Sequence, residues 1–338
     1  MDKLYIVVPC YKEQEVLPET ARRLQQKMEQ LIDSGRIHQE SRVVFVNDGS
    51  TDQTWPIIQR LHEQNALFEG INLSCNRGHQ NALLAGLMTV KDYADMTISM
   101  DADLQDDIDA VDEMVEKYYG GCDIVYGVRS SRAKDTWFKR TTAEAFYHVM
   151  EWLGAKVVFN HADYRLMSRR ALEGLAQFQE VNLFLRGLVP LVGYPSDIVY
   201  YERHERFAGE SKYPLKKMLS FAFEGITSLS TRPIRLIMLL GFFIFGVSLC
   251  MMVYFMVQFF LGNTVQGWAS LAVSIWALGG IQLFAIGMIG EYIGKIYLET
   301  KGRPRFLVEQ YLHRPQTDRA AISGFVYRSV CQACRKRF

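Results

Sequence analysis

An excess of charge of either sign is the first thing that this sequence lacks. Its 338 residues include 38 Lys and Arg against 37 Asp and Glu, which gives a formal net charge of +1 at pH 7. A chain with this balance has no overall positive field, so we do not expect nucleic acid as a partner. The sequence also lacks internal repeats and low-complexity tracts, which excludes repeat architectures.

Cysteine is scarce and mostly scattered. Four of the six cysteines stand alone, at Cys10, Cys75, Cys122 and Cys250, and the others form one CxxC at Cys331 and Cys334. A disulfide framework needs a different pattern, and a cytosolic location would keep these thiols reduced. A single CxxC without a second ligand pair is weak evidence for zinc or redox chemistry, so we assign it no role.

Two long stretches contain no charged residue, at positions 236–261 and 268–290. Each is long enough to be a transmembrane span, because a helix of about 20 residues crosses the bilayer core. The short segment 262–267 between them allows only a tight hairpin. The alternative is a buried helical hairpin in a soluble core, which is disfavoured because soluble helices rarely stay uncharged for so long.

Basic residues flank both stretches. Arg232 and Arg235 precede the first stretch, and the second is followed by Lys295, Lys301, Arg303 and Arg305. By the positive-inside rule, both flanks and the large N-terminal region lie in the cytoplasm. The chain begins almost directly with a strand-like run, so we expect no signal peptide. The prediction is a multi-pass protein of the cytoplasmic membrane with both termini in the cytoplasm.

The chain is predicted to divide into five segments. These are a cytoplasmic catalytic domain at 1–215, an interfacial juxtamembrane helix at 216–232, transmembrane helices at 233–262 and 268–294, and a cytoplasmic tail at 295–338. The interfacial assignment rests on the mixture of basic, apolar and small residues before the first span.

Short apolar runs alternate with helical patterns along the first third of the chain. Strands are predicted at 4–9, 42–46, 70–73, 96–100 and 122–126, and helices at 15–32, 54–64, 78–90 and 109–119. This alternation predicts a parallel, doubly wound α/β sheet with right-handed crossovers. Further amphipathic helices are expected at 137–154 and, in the membrane interface, at 303–312.

Polar clusters follow three of these strands, at 11–13, 47–52 and 101–106. Ligands of doubly wound sheets bind where the strands end, so the three clusters mark a candidate site. Asp101 and Asp103 form a DxD pattern, whose hard oxygens suit a divalent cation. The pattern is weak alone, because aspartates are common in loops, but its position at a strand end strengthens it.

Six motifs in order carry a family resemblance. They are Val-Pro-Cys-Tyr-Lys-Glu at 8–13, Val-Asn-Asp-Gly-Ser-Thr-Asp at 46–52, Asp-Ala-Asp-Leu-Gln-Asp at 101–106, Tyr-Gly-Val-Arg at 126–129, Asp-Tyr-Arg-Leu-Met-Ser at 163–168 and Gly-Glu-Ser-Lys-Tyr at 209–213. Over about residues 3–300 the chain resembles glycosyltransferase family 2, which has the Rossmann-like GT-A fold of nucleotide-diphospho-sugar transferases. It is most similar to the polyprenyl-phosphate glycosyltransferases, such as bactoprenol glucosyltransferases and dolichol-phosphate mannose synthases.

The resemblance implies a nucleotide-sugar site. Its members are Pro9, Tyr11 and Glu13 around the nucleoside, Asp48 as an acceptor from the base or ribose, and Asp101 and Asp103 at the diphosphate. Asp101, Asp103 and Gln105 would hold Mg²⁺ or Mn²⁺, whereas Asp106 either joins them or caps the following helix. Family members usually have Asn where this chain has Lys12, so we assign Lys12 no role.

The acceptor phosphate needs cations beside it, because the sugar nucleotide is also anionic. The candidates are Arg129, Arg140, Arg165, Arg206, Ser211 and Lys212, the last three in a loop that could close over the diphosphate. Asp163 is expected to orient Arg165, with general-base action as the alternative. Asp163, Asp103, Arg129 and Lys212 are the predicted catalytic residues. His148 and His161 are weaker candidates for a base.

The predicted reaction transfers a sugar from UDP-glucose or UDP-GlcNAc to undecaprenyl phosphate with inversion. One rival is a polysaccharide synthase with a polymer acceptor, which usually has more spans and a Gln-x-x-Arg-Trp motif. The other is a non-catalytic nucleotide-binding membrane scaffold. Seven glycines in and after the apolar stretches suit either a homo-oligomer, which the family leads us to expect, or packing between the two spans. They are Gly241, Gly246, Gly279, Gly280, Gly287, Gly290 and Gly294.

Overall fold

An eight-stranded mixed sheet organises the N-terminal part of the protein. The computed structural model describes residues 1–129, 161–180, 184–202, 232–261 and 268–314. Within these ranges the strands are β1 (Leu4–Cys10), β2 (Arg42–Asn47), β3 (Phe68–Leu73), β4 (Met96–Ser99), β5 (Ile124–Arg129), β6 (His161–Ser168), β7 (Ser196–Tyr201) and β8 (Val308–Leu312). They lie in the order β7-β5-β6-β4-β1-β2-β3-β8.

Helices cover both faces of this sheet. They are α1 (Leu17–Asp33), α2 (Thr54–Gln64), α3 (His79–Val90), α4 (Ala110–Tyr119), α5 (Arg169–Ala176) and α6 (Leu185–Leu191). Alternate residues of β1 point to opposite faces, as the two-residue period of a strand requires. Ile6 joins a core cluster with α1, α2 and α4, whereas Val7 joins one with α3, α5 and α6. The predicted double winding and the predicted elements up to residue 129 are confirmed.

The prediction of a purely parallel sheet is wrong. β1 pairs in parallel with β2 and β4, and β2 with β3, but β6 lies between β4 and β5 and is antiparallel to both. The alternation of elements gives no information on which strands become neighbours. β6 follows a long connection from β5, and its direction is set by pairing with distant residues: Ser99 of β4 faces Arg165.

The predicted interfacial helix at 303–312 is also wrong. Residues Val308–Leu312 form β8, which pairs antiparallel with β3 at the edge of the sheet. The carboxylate of Glu69, fully buried on β3, accepts a hydrogen bond from the Tyr311 hydroxyl at 2.6 Å and lies 3.0 Å from Nδ1 of His313. A buried carboxylate needs such partners. The segment after the last long helix is therefore anchored to the N-terminal sheet.

Two long helices, α7 (Arg232–Phe260) and α8 (Trp268–Lys301), cover the uncharged stretches. Many of their large apolar side chains are exposed, among them Phe242 at 68% and Leu283 at 72%. Within the described residues, one segment, Leu278–Lys301, is long and apolar enough to cross a membrane, and Ile234–Ile244 is a shorter apolar helix. The two-span hairpin stays a prediction, as do the five segment boundaries.

The seven glycines of α7 and α8 have open space around them among the described residues. A Cβ atom added at any of them would meet no described atom within 4 Å. Packing between the two helices of one chain stays a prediction. The homo-oligomer remains a prediction. The predicted helix at 137–154 and residues 216–231 of the predicted interfacial helix lie outside the described residues, as do Cys331 and Cys334.

Candidate active site

The loops that follow β1, β2 and β4 lie side by side at the carboxyl ends of these central strands. The backbone N–H of Asp48 donates to the carbonyl of Cys10 at 2.9 Å, and that of Met100 donates to the carbonyl of Val7 at 3.1 Å. Parallel pairing places the carboxyl ends of neighbouring strands together, so the three predicted polar clusters are adjacent.

Asp48 holds the loop that leads into α3. Its side chain is buried, and its two oxygens accept the backbone N–H groups of Arg77 and Gly78 at 2.7 and 2.9 Å. Gly49 has a φ of +61°, and a Cβ atom there would lie 2.5 Å from the backbone nitrogen of Asn76. Asp48 and Gly49 are thus both needed for the conformation of the turn after β2 and of the loop that leads into α3.

The predicted nucleoside residues differ in accessibility. Pro9 is buried within β1 opposite Val46, whereas the Tyr11 ring is 45% exposed just beyond the strand. Glu13 is half-buried, and its backbone N–H donates to Oγ1 of Thr54 at 3.0 Å. Tyr11 is the one of these three that offers a large surface on which a base can stack.

Lys12 lies in a strained backbone conformation. Its φ is +57°, in the left-handed region that Asn adopts far more easily than Lys. This is a physical reason for the Asn that the family usually has at this position. Lys12→Asn is expected to stabilise the protein by roughly 1 kcal/mol relative to Lys12→Ala, since both changes remove the same side-chain charge and only Asn relieves the strain. Thermal unfolding of the two variants measures the difference; equal stabilities would contradict it.

The acidic loop after β4 contains a second strained residue. Leu104 is buried at a φ of +58°, and the backbone N–H of Gln105 donates to Oδ1 of Asp103 at 3.2 Å. Burial, reinforced by the charges of Asp163 and Asp103, raises the pKa of Asp101 above its ordinary value. The carboxylates of this loop and Asp163 are therefore close enough to act on one another.

Asp106 does not cap α4. Its Oδ1 accepts a hydrogen bond from the Tyr201 hydroxyl at 2.5 Å and lies 3.9 Å from Nη2 of Arg129. Arg129, at the end of β5, donates from Nε to the Tyr201 oxygen at 3.3 Å. Burial and the charge of Asp101 raise the pKa of Asp106 to about 6. The capping alternative for Asp106 is wrong, and Tyr201 ties the acidic loop to the predicted phosphate ligand Arg129.

Asp163 is the centre of a cluster of cations. Because β6 is antiparallel to β4, its first residues lie at the carboxyl end of β4, near the acidic loop. Asp163 Oδ1 accepts from Nη2 of Arg165 at 2.7 Å, so the two side chains are paired, and the predicted role of Asp163 in orienting Arg165 stays a prediction. Burial alone would raise the pKa of Asp163, but His79, Arg186 and Arg165 together hold it well below its usual value.

The Arg165 side chain is buried behind Asp163. Only 1% of its side chain is exposed, and its Nη1 lies 3.5 Å from the Leu185 carbonyl. A bound phosphate cannot reach a guanidinium enclosed in this way. Arg165 therefore lies beside the site but is not at its surface.

Two cations of this cluster were not predicted. Nε2 of His79 lies 3.5 Å from a carboxylate oxygen of Asp101 and 3.5 Å from one of Asp163. Arg186 donates to both oxygens of Asp163, from Nη2 at 3.0 Å and from Nε at 3.3 Å. His79 follows the third parallel strand, a position that the strand-end argument could have included. Arg186 lies in an apolar segment and has no local signal.

Four predicted acceptor-site residues, Arg140, Arg206, Ser211 and Lys212, lie outside the described residues, as do His148 and the side chain of His161. Their predicted roles stay predictions.

The acidic loop fits a hard divalent cation. No group of three His, Cys, Asp or Glu side chains in the described ranges forms a complete metal site. Asp101, Asp103 and Gln105 nevertheless supply oxygen donors, the type that Mg²⁺ and Mn²⁺ prefer. Among the described residues the buried Oδ2 of Asp106 has no hydrogen-bond partner, so a cation at this loop would offset a carboxylate oxygen that is otherwise unsatisfied.

The fold and this site define a GT-A-like glycosyltransferase, an enzyme with a Rossmann-like α/β domain and an acidic strand-end loop. Residues 5–175 match the glycosyl transferase family 2. The uncharacterized glycosyltransferase YkoT of Bacillus subtilis is 53% identical over 93% of both chains, and the bactoprenol glucosyl transferase of Shigella phage SfX is 39% identical over 91% of this chain and 99% of the phage protein. The crystal structure of glucosyl-3-phosphoglycerate synthase from Mycobacterium tuberculosis has a TM-score of 0.45 and 15% identity, covering 68% of this chain and 78% of that one. The chain belongs to glycosyl transferase family 2.

Proposed function

We propose that this enzyme transfers one sugar from a nucleotide diphosphate sugar to a polyprenyl phosphate such as undecaprenyl phosphate. The observation that carries the proposal is the meeting of the acidic loop 101–106 with the Asp163 cation cluster at one sheet edge, where His79 contacts both Asp101 and Asp163. A site that holds two anionic substrates needs positive charge beside both of them, from a cation bound at the acidic loop and from the basic side chains around Asp163. The similarity to bactoprenol glucosyl transferase extends over 91% of the chain, so it includes the apolar helices as well.

The proposed chemistry is a single displacement. An oxygen of the lipid phosphate attacks the anomeric carbon, a new bond forms between them, and the bond from that carbon to the nucleoside diphosphate breaks. Attack opposite the leaving group inverts the configuration of the sugar. A phosphate monoester is already largely ionised near neutral pH, so the nucleophile needs no strong base. Asp163, held ionised by three cations, is accordingly a positioning residue and not the base.

The protein side chains supply position and charge. Tyr11 would stack on the base beside Asp48, and Asp101, Asp103 and Gln105 would hold Mg²⁺ or Mn²⁺. A bound divalent ion neutralises charge on the departing diphosphate. Arg129 faces the acidic loop through Tyr201 and is a candidate for the acceptor phosphate. Placing two polyanionic substrates in line lowers the barrier mainly by orientation and electrostatic stabilisation.

The proposed location is the cytoplasmic membrane. Exposed apolar side chains around α7 and α8 suit lipid contact, and the anchored strand β8 would hold the sheet close to the end of α8. The phosphate headgroup of a polyprenyl phosphate lies at the boundary between the membrane and water. We propose that the catalytic domain and both termini are cytoplasmic, with α7 and α8 as two spans of a homo-oligomer, and that the product supplies a cell-surface polysaccharide modification.

The proposal is tested with a transfer assay on the full-length protein in detergent. The protein receives undecaprenyl phosphate, Mg²⁺ or Mn²⁺, and radiolabelled UDP-glucose, UDP-GlcNAc or other UDP- and GDP-sugars in turn. Chloroform-extractable label from one donor, abolished by EDTA, is the expected result and identifies the sugar. No lipid-linked label from any donor, with the protein folded and nucleotide still bound, would exclude this acceptor and favour a polymer acceptor or a scaffold.

A further inference from the structure

The two arginines that bind Asp163 differ in their access to the site. Arg165 has 1% of its side chain exposed, whereas Arg186 has 35% exposed. Arg165 comes from the same strand as Asp163, two residues away, and Arg186 comes from the separate helix α6. The Asp163 carboxylate thus binds both the buried Arg165 and the more exposed Arg186.

The carboxylate fixes the Arg186 guanidinium in one orientation. Two nitrogens of Arg186 donate to the two oxygens of Asp163, which is the fork arrangement that limits rotation of the side chain. Asp163 is itself fixed from behind by Arg165, and Ser99 donates from its hydroxyl to the Asp163 backbone carbonyl. An arginine held in place before binding loses less side-chain freedom when a ligand arrives.

Arg186 also lies within electrostatic reach of the acidic loop. Through Asp163 it joins His79, whose Nε2 lies 3.5 Å from Asp163 and 3.5 Å from Asp101 of that loop. The described cations around Asp163 are His79, Arg165 and Arg186, and of the two arginines Arg186 is the one exposed enough to meet a ligand. A surface arginine in such a cluster matches the charge and shape of a phosphate.

We propose that Arg186 is a phosphate-binding residue of the site and that Asp163 is its positioning residue. This inference rests on the proposed function, because a phosphate enters the site as part of one of the two substrates. The ligand is either the diphosphate of the donor or the phosphate of the lipid, which have the same recognition chemistry. Arg186 takes the role that the sequence motif suggested for Arg165.

The test compares Arg186→Gln and Arg186→Lys with Arg170→Gln as the matched control. Arg170 is also a partly exposed arginine bound through two nitrogens to one carboxylate, that of Asp123, but it lies at the start of α5, away from the acidic loop. Full-length protein in lipid nanodiscs is titrated with UDP in the presence of Mn²⁺, and separately with undecaprenyl phosphate. KM for each substrate is measured where turnover is detected.

Arg186→Gln is expected to weaken one of the two ligands by about tenfold or more, the loss that a charged hydrogen-bond pair typically gives. Arg186→Lys should recover part of the loss, and Arg170→Gln should stay within about twofold of wild type. Weaker UDP binding assigns Arg186 to the donor diphosphate, and weaker lipid phosphate binding assigns it to the acceptor. Unchanged affinity for both ligands in folded Arg186→Gln overturns the proposal.

The titrations separate this inference from the proposed function. If wild-type protein transfers no sugar, the proposed reaction fails, yet the effect of Arg186 on UDP and lipid phosphate binding is still measured. Wild-type protein that binds neither ligand overturns both. A merely structural role for Arg186 would lower the melting temperature of Arg186→Gln without a selective change in the affinity for one ligand.

Discussion

Asp163→Ala is expected to cause the largest loss, in both stability and activity. The substitution leaves Arg165, whose side chain is 1% exposed, without its carboxylate partner at 2.7 Å. Removing one partner of a buried ion pair costs about 3–5 kcal/mol, because the remaining charge stays buried without compensation. The same change releases Arg186 and His79 from their common partner, so transfer activity should disappear. Thermal unfolding and the transfer assay measure the two effects.

A double variant separates the stability effect from the functional effect. Asp163→Leu with Arg165→Met replaces the buried pair by apolar side chains, which is often neutral or stabilising. Arg186 and His79, at 35% and 43% side-chain exposure, can remain hydrated without Asp163. The double variant should therefore regain most of the lost stability and remain inactive. Activity near the wild-type level in a folded double variant would show that Asp163 positions nothing needed for transfer.

Asp103→Ala is expected to reduce kcat/KM by about a thousandfold while the protein stays folded. Loss of a preorganised electrostatic contact to the developing charge typically costs 10² to 10³-fold, and this variant would also weaken the divalent cation. Asp103 is partly exposed, and its Oδ1 accepts the backbone N–H of Gln105 within its own loop, so we expect the variant to remain folded. The measurement is initial-rate kinetics over a series of Mn²⁺ concentrations.

Asp107→Asn is the matched control for Asp103→Ala. Asp107 directly follows the acidic loop, and its side chain accepts the backbone N–H of Asp109 at 2.9 Å. An amide oxygen retains that hydrogen bond, so activity and the Mn²⁺ dependence should stay close to wild type. If the two variants lose activity equally, general negative charge of the loop matters and the specific role of Asp103 is wrong.

The sequence predicted those parts of the site that one local motif contains. Asp101, Asp103, Gln105 and Asp48 each follow a strand that periodicity alone identifies, and all lie at the predicted edge. Tyr201 and Arg186 could not be found in this way. Tyr201 reaches Asp106 across 95 residues of chain, and Arg186 reaches Asp163 across 23, so nothing in their own neighbourhood indicates the contact.

Arg165 is a residue that the sequence identified but whose burial it could not predict. Its motif identified the residue and its pairing with Asp163, which follows from the two-residue period of a strand. Burial, however, depends on β6 lying between β4 and β5, and no pattern within residues 161–168 specifies that placement. The exposure of a charged side chain is decided by its neighbours in space. The sequence therefore could not show whether Arg165 binds a substrate phosphate or only pairs with Asp163.

The sequence by itself determined the alternating α/β order, the acidic strand-end loop and the apolar segments, because each depends on residues close together in the chain. Only the tertiary structure decided the mixed sheet, the anchoring of β8 beside β3, and the choice of Arg186 over Arg165 at the surface. These features depend on pairing between segments far apart in the chain. Hydrophobic periodicity specifies which face of a strand is buried but leaves its neighbours open.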